Sequence, residues 1–62
     1  MIMTQQNLWN IIDALDKRER VVSVRFFGLD AFEIQFNTPN NPTLAFGRDN
    51  SVEIVAQAIF DA

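Results

Sequence analysis

Apolar residues recur with a helical period near the start of the chain. Four of them follow the spacing i, i+3, i+4, i+7 of one helix face: Leu8, Ile11, Ile12 and Leu15. Thr4 is a suitable N-cap, because its hydroxyl can accept a hydrogen bond from a free amide of the first turn. The pattern predicts a helix from about Gln5 to Arg18, since Glu19 would fall back onto the apolar face.

Two stretches in the middle of the chain alternate between apolar and polar residues, which indicates β-strands. They run from Val21 to Phe27 and from Ala31 to Asn37, with Gly28-Leu29-Asp30 as the turn. A turn of this length predicts Val22–Phe36, Val24–Ile34 and Phe26–Phe32 as partners on an apolar face, and Ser23–Gln35, Arg25–Glu33 and Phe27–Ala31 on the other face. A slip by one residue would mix the two faces and separate the charged pair.

The remainder of the chain predicts a loop, a third strand and a second helix. Two prolines and two asparagines mark Thr38–Pro42 as the loop. The strand is Thr43–Gly47, and the helix runs from about Ser51 to Asp61, with Asn50 and Glu53 resembling a capping box. The apolar residues of these elements are Leu44 and Phe46 on the strand, and Val52, Val55, Ala56 and Ile59 on the helix.

The order helix, strand, strand, strand, helix predicts one α+β domain that spans residues 1–62. Each helix has one apolar stripe and the sheet has one apolar face. The simplest arrangement has two layers, with both helices on the same face of a three-stranded antiparallel sheet. The other face of the sheet is then free to contact solvent or a partner.

Composition limits how such a small domain can be stabilised. The chain has 62 residues and contains neither cysteine nor histidine. A core of this size supplies only about 3–5 kcal/mol, and small domains usually add disulfides, a metal or a partner. Disulfides and metal sites built from thiolate or imidazole are excluded by composition. Association with another chain remains, which favours a homodimer or a partner-bound protein.

Charge and hydropathy narrow the class of partner. Five basic and eight acidic residues give a net charge of −3. Direct binding to nucleic acid is not expected, because phosphate binding needs a basic surface. No apolar run approaches the ~20 residues of a membrane span, and no secretory signal is visible. We therefore expect a cytoplasmic protein without a membrane partner.

The residue types that usually carry catalysis are missing or have structural explanations. Without histidine or cysteine, the common nucleophile–base pairs are absent. Lys17 is expected to form an i,i+4 surface pair with Asp13, and the carboxylates of Asp13 and Asp16 look exposed. The stretch 49–53 has oxygen ligands but lacks the spacing and glycine of a calcium loop. No catalytic residue, metal or cofactor is expected, and the chain is not predicted to be an enzyme.

Three features could contribute to a binding surface. Trp9 falls on one helix side with Asp13 and Asp16, where it either covers the edge of the core or serves as an aromatic anchor between carboxylates. Three apolar residues occupy outward positions: Phe27, Ile54 and Phe60. Seven acidic residues are either solvated or, if they converge, able to engage a basic groove: Asp13, Asp16, Asp30, Glu33, Asp49, Glu53 and Asp61. The residues predicted to contact a partner are Trp9, Asp13, Asp16, Arg25, Phe27, Asp30, Glu33 and Ile54.

Three segments also carry a resemblance: the helix Leu8–Leu15, the hairpin Val21–Phe36 and the stretch Asn50–Val55. In element order, length and acidity the chain resembles small phage-encoded anti-CRISPR inhibitors, which fold as a helix, a three-stranded antiparallel sheet and a helix. The resemblance implies an acidic competitor that occupies a basic nucleic-acid site on a host effector nuclease, in the host cytoplasm. No shared motif marks individual residues.

Two functions are therefore expected from the sequence. The first is a non-enzymatic acidic protein-binding module, an inhibitor of a host nucleic-acid-binding enzyme encoded by a phage or mobile element. The alternative is a self-associating structural or accessory protein that dimerises through the open sheet face, an edge strand or the last helix.

Overall fold

The computed structural model describes residues 3–39 and 43–62. Its elements are α1 (Gln5–Ala14), a short 3₁₀ helix (Arg18–Arg20), β1 (Val21–Phe27), β2 (Ala31–Phe36), β3 (Thr43–Gly47) and α2 (Val52–Asp61). The predicted α+β class and the predicted order of helices and strands are confirmed. Of the predicted loop, residues 40–42 lie outside the described residues.

The sheet is antiparallel in the order β1-β2-β3, so that β2 is the central strand. Five of the six predicted hairpin pairs are confirmed, including Arg25–Glu33 and Phe26–Phe32. The predicted pair Val22–Phe36 is wrong, because Phe36 pairs with Val21 and the register shifts between Val21 and Ser23. This β-bulge turns Val22 outward, where 58% of its surface is exposed.

One hydrophobic cluster joins both helices to the same face of the sheet. Its buried members are Met3, Leu8, Ile12, Phe32, Ile34, Phe36, Val55 and Ile59. Phe32 lies at its centre, with ring centroids 5.4 Å from Phe26 and 5.3 Å from Phe46, so a row of three rings crosses the sheet. The predicted placement of both helices on one sheet face is therefore confirmed, and no described helix covers the other face.

Helix α1 ends four residues earlier than the predicted Arg18. Asp16 adopts a left-handed conformation with φ of 57°. The amide of Asp16 donates to the carbonyl of Asp13 and the amide of Lys17 donates to that of Ile12, each over 3.0 Å, which is a Schellman ending. Lys17 thus leaves the helix, and the predicted Asp13–Lys17 pair is wrong. Asp13 instead accepts two hydrogen bonds from Arg18, at 2.6 and 2.8 Å.

The N-cap predicted for α1 is confirmed, whereas the one predicted for α2 is wrong. The Thr4 hydroxyl accepts from the amide of Asn7 over 3.1 Å, which confirms the predicted N-cap. In α2 the N-cap is Ser51, whose hydroxyl accepts from the amide of Ile54 over 3.3 Å, so the predicted capping box of Asn50 and Glu53 is wrong. Glu53 still lies in the first turn, where a carboxylate suits the helix dipole.

Arg48 connects the beginning of the described chain to the hairpin turn. Its guanidinium donates to the carbonyl of Met3 at 2.8 and 3.0 Å and to that of Gly28 at 2.8 Å. It also lies over the ring of Phe26, 4.7 Å from the centroid. Its backbone amide donates to the carbonyl of Asp30 over 2.8 Å. This one residue therefore fixes the end of the sheet where the hairpin turns.

None of the described helices has the length and apolar character needed to cross a membrane.

Candidate functional site

The hairpin turn carries two exposed apolar side chains. Phe27 ends β1 on the face turned away from the helices and is 46% exposed, and Leu29 in the turn is 78% exposed. Between them, Gly28 has φ of 64°, a left-handed conformation that allows the tight turn. The Arg48 guanidinium donates to the Gly28 carbonyl, which restrains the backbone of the turn between these two side chains.

Two exposed aspartates lie at the same end of the sheet as these apolar side chains. Ala31 pairs with Gly47, so the residues that follow β3 run past the hairpin turn. The side chain of Asp49 and the backbone of Asp30 flank Gly47: a Cβ added there would lie 2.9 Å from the Asp49 Oδ1 atom and 3.8 Å from the backbone carbonyl oxygen of Asp30. Both aspartates are exposed. The fold thus brings together two acidic residues that are 19 positions apart in sequence.

A cross-strand ion pair borders this region on the open sheet face. The Arg25 Nη1 atom is 3.5 Å from the Glu33 Oε1 atom, and the side chains are 66% and 25% exposed. The Arg25 guanidinium also lies over the ring of Phe27, 5.4 Å from the centroid. A pair at this distance with the arginine in solvent contributes little to stability. A partner could therefore bind the charged groups of Arg25 and Glu33 with little loss in the stability of the fold.

These neighbouring residues form what we call the tip surface: Arg25, Phe27, Leu29, Asp30, Glu33 and Asp49. It combines an apolar centre with three carboxylates and one guanidinium. Such a surface suits a protein partner that offers an apolar pocket rimmed by cations. Within residues 3–39 and 43–62, no group of three acidic side chains is placed to hold a metal ion.

Three of the predicted partner-binding residues lie at the opposite end of the molecule. Trp9 is half-buried against the core, and the guanidinium carbon of Arg18 is 4.6 Å from its ring centroid. The same guanidinium bonds to Asp13 and lowers the pKa of that carboxyl, while Asp13 raises the pKa of Arg18. Asp16 forms the left-handed end of α1. Trp9 thus covers the edge of the core, and Arg18 covers Trp9.

The sequence predicted only some of the residues that form the tip surface. It named Arg25, Phe27, Asp30 and Glu33, which the structure places side by side, and Ile54, which is 57% exposed on α2 and separate from them. It missed Leu29, an apolar residue between two turn residues. It counted Asp49 as acidic but did not place it in a site, although the pairing of β3 with β2 would have brought it to the turn. The seven acidic residues do not converge on one face.

A second apolar surface lies along α2. Leu15, Glu53, Ala56, Gln57 and Phe60 line an open groove of about 440 Å³. Phe60 is 60% exposed, and the Lys17 Nζ atom is 5.9 Å from its ring centroid. Lys17 also donates to the carbonyl of Ala62 over 3.2 Å, which fixes its ammonium group at this end of the helix.

The fold and the two surfaces define a small two-layer α+β domain with exposed apolar residues on opposite layers. Comparison of the chain with family models, with curated proteins and with solved structures gave no match. The functional argument therefore rests on the chemistry of its own surfaces.

Proposed function

We propose that this chain is a non-enzymatic protein-binding module that contacts its partner through the tip surface. One observation carries the proposal: Phe27 and Leu29 are 46% and 78% exposed and lie at the same end of the sheet as the exposed residues Asp30 and Asp49. A free-standing domain gains nothing from holding two apolar side chains in water at a fixed turn. A partner that buries them gains about 25 cal/mol for each Å² of apolar surface removed from water.

The tip surface is also prepared for binding at low entropic cost. Gly28 and Arg48 fix the turn, and the guanidinium of Arg25 lies against the ring of Phe27. Side chains that are already ordered lose less freedom when a partner binds. The central aromatic ring and its charged border correspond to the common arrangement of a binding hot spot inside a polar rim.

The partner that fits best is a basic protein surface, and we infer that it is a nucleic-acid-binding enzyme which the chain inhibits. The net charge of −3 and the carboxylates of the tip surface favour such a surface over nucleic acid itself. The layout that resembles anti-CRISPR inhibitors of phages and mobile elements supports the same class. In this proposal Phe27 and Leu29 enter an apolar pocket while Asp30 and Asp49 engage cations that otherwise bind phosphate.

The test is affinity capture from a bacterial lysate with matched variants as bait. The wild-type chain is compared with Phe27→Ser combined with Asp30→Lys, and with Ile54→Ser as control. Ile54 has 57% exposure, comparable to that of Phe27, but lies on α2, so the control removes a similar apolar side chain elsewhere. Circular dichroism shows whether each bait is folded.

We expect the wild-type and Ile54→Ser baits to retain one nucleic-acid-binding enzyme that the double variant loses. The purified enzyme should then bind labelled nucleic acid less well as the chain is added. Retention by all three baits would rule out the tip surface as the contact. A retained protein that does not bind nucleic acid would overturn the inhibitor assignment and leave only the binding module.

The groove along α2 favours the second candidate, a self-associating protein. Self-association would use the α2 groove and not the tip surface, so the two candidate functions can be tested separately.

A further inference from the structure

The α2 groove has an ordered pattern of apolar and charged residues. On the helix, Glu53, Ala56, Gln57 and Phe60 have the spacing i, i+3, i+4, i+7, so they form one stripe on the side turned away from the buried Val55 and Ile59. Leu15, just past the end of α1, forms the neighbouring wall. Phe60 stands at one end of the stripe and Glu53 at the other.

The two ends of this stripe carry opposite charges. The ammonium group of Lys17 is held at the Phe60 end by the Ala62 carbonyl at 3.2 Å. The carboxylate of Glu53 lies seven residues earlier, which is about 10 Å along a helix. Neither charge belongs to an ion pair within the described part of the chain, where the pairs are Asp13–Arg18 and Arg25–Glu33.

We propose that a second copy of this chain occupies the groove, with the two α2 helices antiparallel about a two-fold axis that passes between Ala56 and Gln57. This axis places Glu53 of each copy beside the partner's Lys17 and the partner's Phe60. The contact is self-complementary, so each ion pair and each aromatic contact occurs twice. The inference rests on the second candidate function, self-association, and is independent of the first, because the tip surface lies outside the contact.

The arrangement of charge favours a second copy over an unrelated peptide. A stripe with a carboxylate at one end, a cation at the other and a small residue near its midpoint matches its own two-fold image. Ala56 allows the helix axes to approach closely, as antiparallel helices do at about 8–10 Å. A contact made by one ten-residue helix is small, so we expect a weak, concentration-dependent dimer in the micromolar range.

The first experiment measures the sedimentation coefficient of the full chain from about 1 μM to about 1 mM. The wild type should shift from monomer to dimer across this range. Phe60→Ser should raise the dissociation constant about tenfold or more, because Phe60 is the largest apolar side chain of the contact and is buried in it twice. Phe27→Ser is the matched control, since Phe27 is also exposed but lies on the sheet, and it should leave the constant unchanged.

The second experiment reverses the charges. Alone, Glu53→Lys brings two cations together at each contact, and Lys17→Glu brings two carboxylates together, so neither variant should self-associate. Mixed in equal amounts, the two variants should form a heterodimer, because each contact then joins a lysine to a glutamate. Recovery in the mixture cannot come from a misfolded variant, which keeps the test valid if Lys17→Glu lowers stability.

The expected result is a wild-type dimer, loss in each charge variant and recovery in the mixture. A chain that remains monomeric up to about 1 mM overturns the proposal. A dimer that Phe60→Ser leaves intact, or that Phe27→Ser disrupts, places the interface elsewhere and also overturns it. Neither result bears on the tip surface, whose own test uses a different partner.

Discussion

Each end of the molecule is held by an arginine that lies over an aromatic ring, but the two arginines have different partners. At the hairpin end, Arg48 lies 4.7 Å from the Phe26 ring centroid and donates to the carbonyls of Met3 and Gly28. At the other end, Arg18 lies 4.6 Å from the Trp9 centroid and donates to the exposed carboxylate of Asp13. The ring distances are nearly the same, although the acceptors differ in kind.

The difference shows that contact geometry alone does not determine stabilisation. Arg48 is half-buried, and its acceptors are 45 and 20 positions away in sequence, so it joins segments that the unfolded chain separates. Arg18 is exposed and reaches only five positions back. If Arg18 is removed, water can solvate Asp13, whereas removal of Arg48 leaves the part-buried carbonyl of Met3 without its side-chain donor.

Each end also has one residue with a left-handed backbone conformation, and the steric cost of that conformation is lower at the hairpin end. The hairpin end uses Gly28 at φ of 64°, a residue that adopts this conformation without steric cost. The other end uses Asp16 at φ of 57°, where an L side chain is strained. The hairpin end, which carries the tip surface, therefore avoids the steric cost that the other end has at Asp16.

The largest expected effect is at Arg48. Arg48→Ala should lower the free energy of unfolding by about 2–3 kcal/mol, because it removes two charge-assisted hydrogen bonds to the part-buried Met3 carbonyl and one to the exposed Gly28 carbonyl. Arg48→Lys keeps the charge but cannot donate as a fork to both carbonyls, so it should recover only part of the loss. Urea denaturation measures both, with Arg18→Ala as the matched variant. Equal losses for Arg48→Ala and Arg18→Ala would remove the contrast between the two ends.

Gly28→Ala should have the next largest effect, a loss of about 1–2 kcal/mol. A Cβ on Gly28 would meet no atom within 4 Å, so the loss would report backbone strain alone. Leu29→Ala is the control, because the neighbouring turn residue is 78% exposed and should change stability little. An unchanged urea midpoint for Gly28→Ala would mean that the turn can relax out of the left-handed conformation.

Asp16→Gly should change stability in the opposite direction, with a gain of about 0.5–1 kcal/mol from relief of the left-handed strain. Asp16→Ala separates this effect from the loss of a negative charge, since alanine removes the carboxylate but keeps the Cβ. We expect the glycine variant to have a higher midpoint in thermal denaturation than the alanine variant. A gain of equal size in both would assign the effect to charge.

The smallest effect concerns pH. Because Arg18 lowers the pKa of Asp13 in the folded protein, the ionised carboxylate stabilises the fold at neutral pH. This contribution is complete above the ordinary carboxyl pKa of about 4 and is lost as the pH falls through the lower folded value. The midpoint difference between wild type and Asp13→Asn should therefore shrink from pH 7 to pH 3. A difference that grows on acidification would contradict the assigned direction.

Periodic patterns predicted most of the fold because they report burial directly. The alternation in β1 and β2 gave five correct hairpin pairs, and the apolar stripes gave the inward faces of both helices except at Val52, which is 36% exposed. Features that depend on a single residue, such as a β-bulge, could not be predicted from the periodic pattern. The bulge places Val21 inward instead of Val22, and neighbouring valines give no signal to choose between them.

The ends of helices and the contacts between remote segments were the hardest to predict. A left-handed helix ending is usually marked by glycine, and here aspartate takes that position at Asp16. Asn50 and Ser51 are both good N-caps, so only the structure distinguishes them. The contacts of Arg48 join backbone carbonyls, which leave no trace in side-chain patterns. For the same reason the position of Asp49 at the tip surface could not be predicted without the path of β3.

The bulge at the start of β1 also limits how another strand could pair with the edge of the sheet. As an edge strand of the described sheet, β1 presents backbone groups that another chain could use as a template. The extra residue between Val21 and Ser23 interrupts the regular spacing and increases the local twist. An incoming strand could then align over only part of β1. One surplus valine therefore shortens the template for cross-β stacking while leaving the hairpin intact.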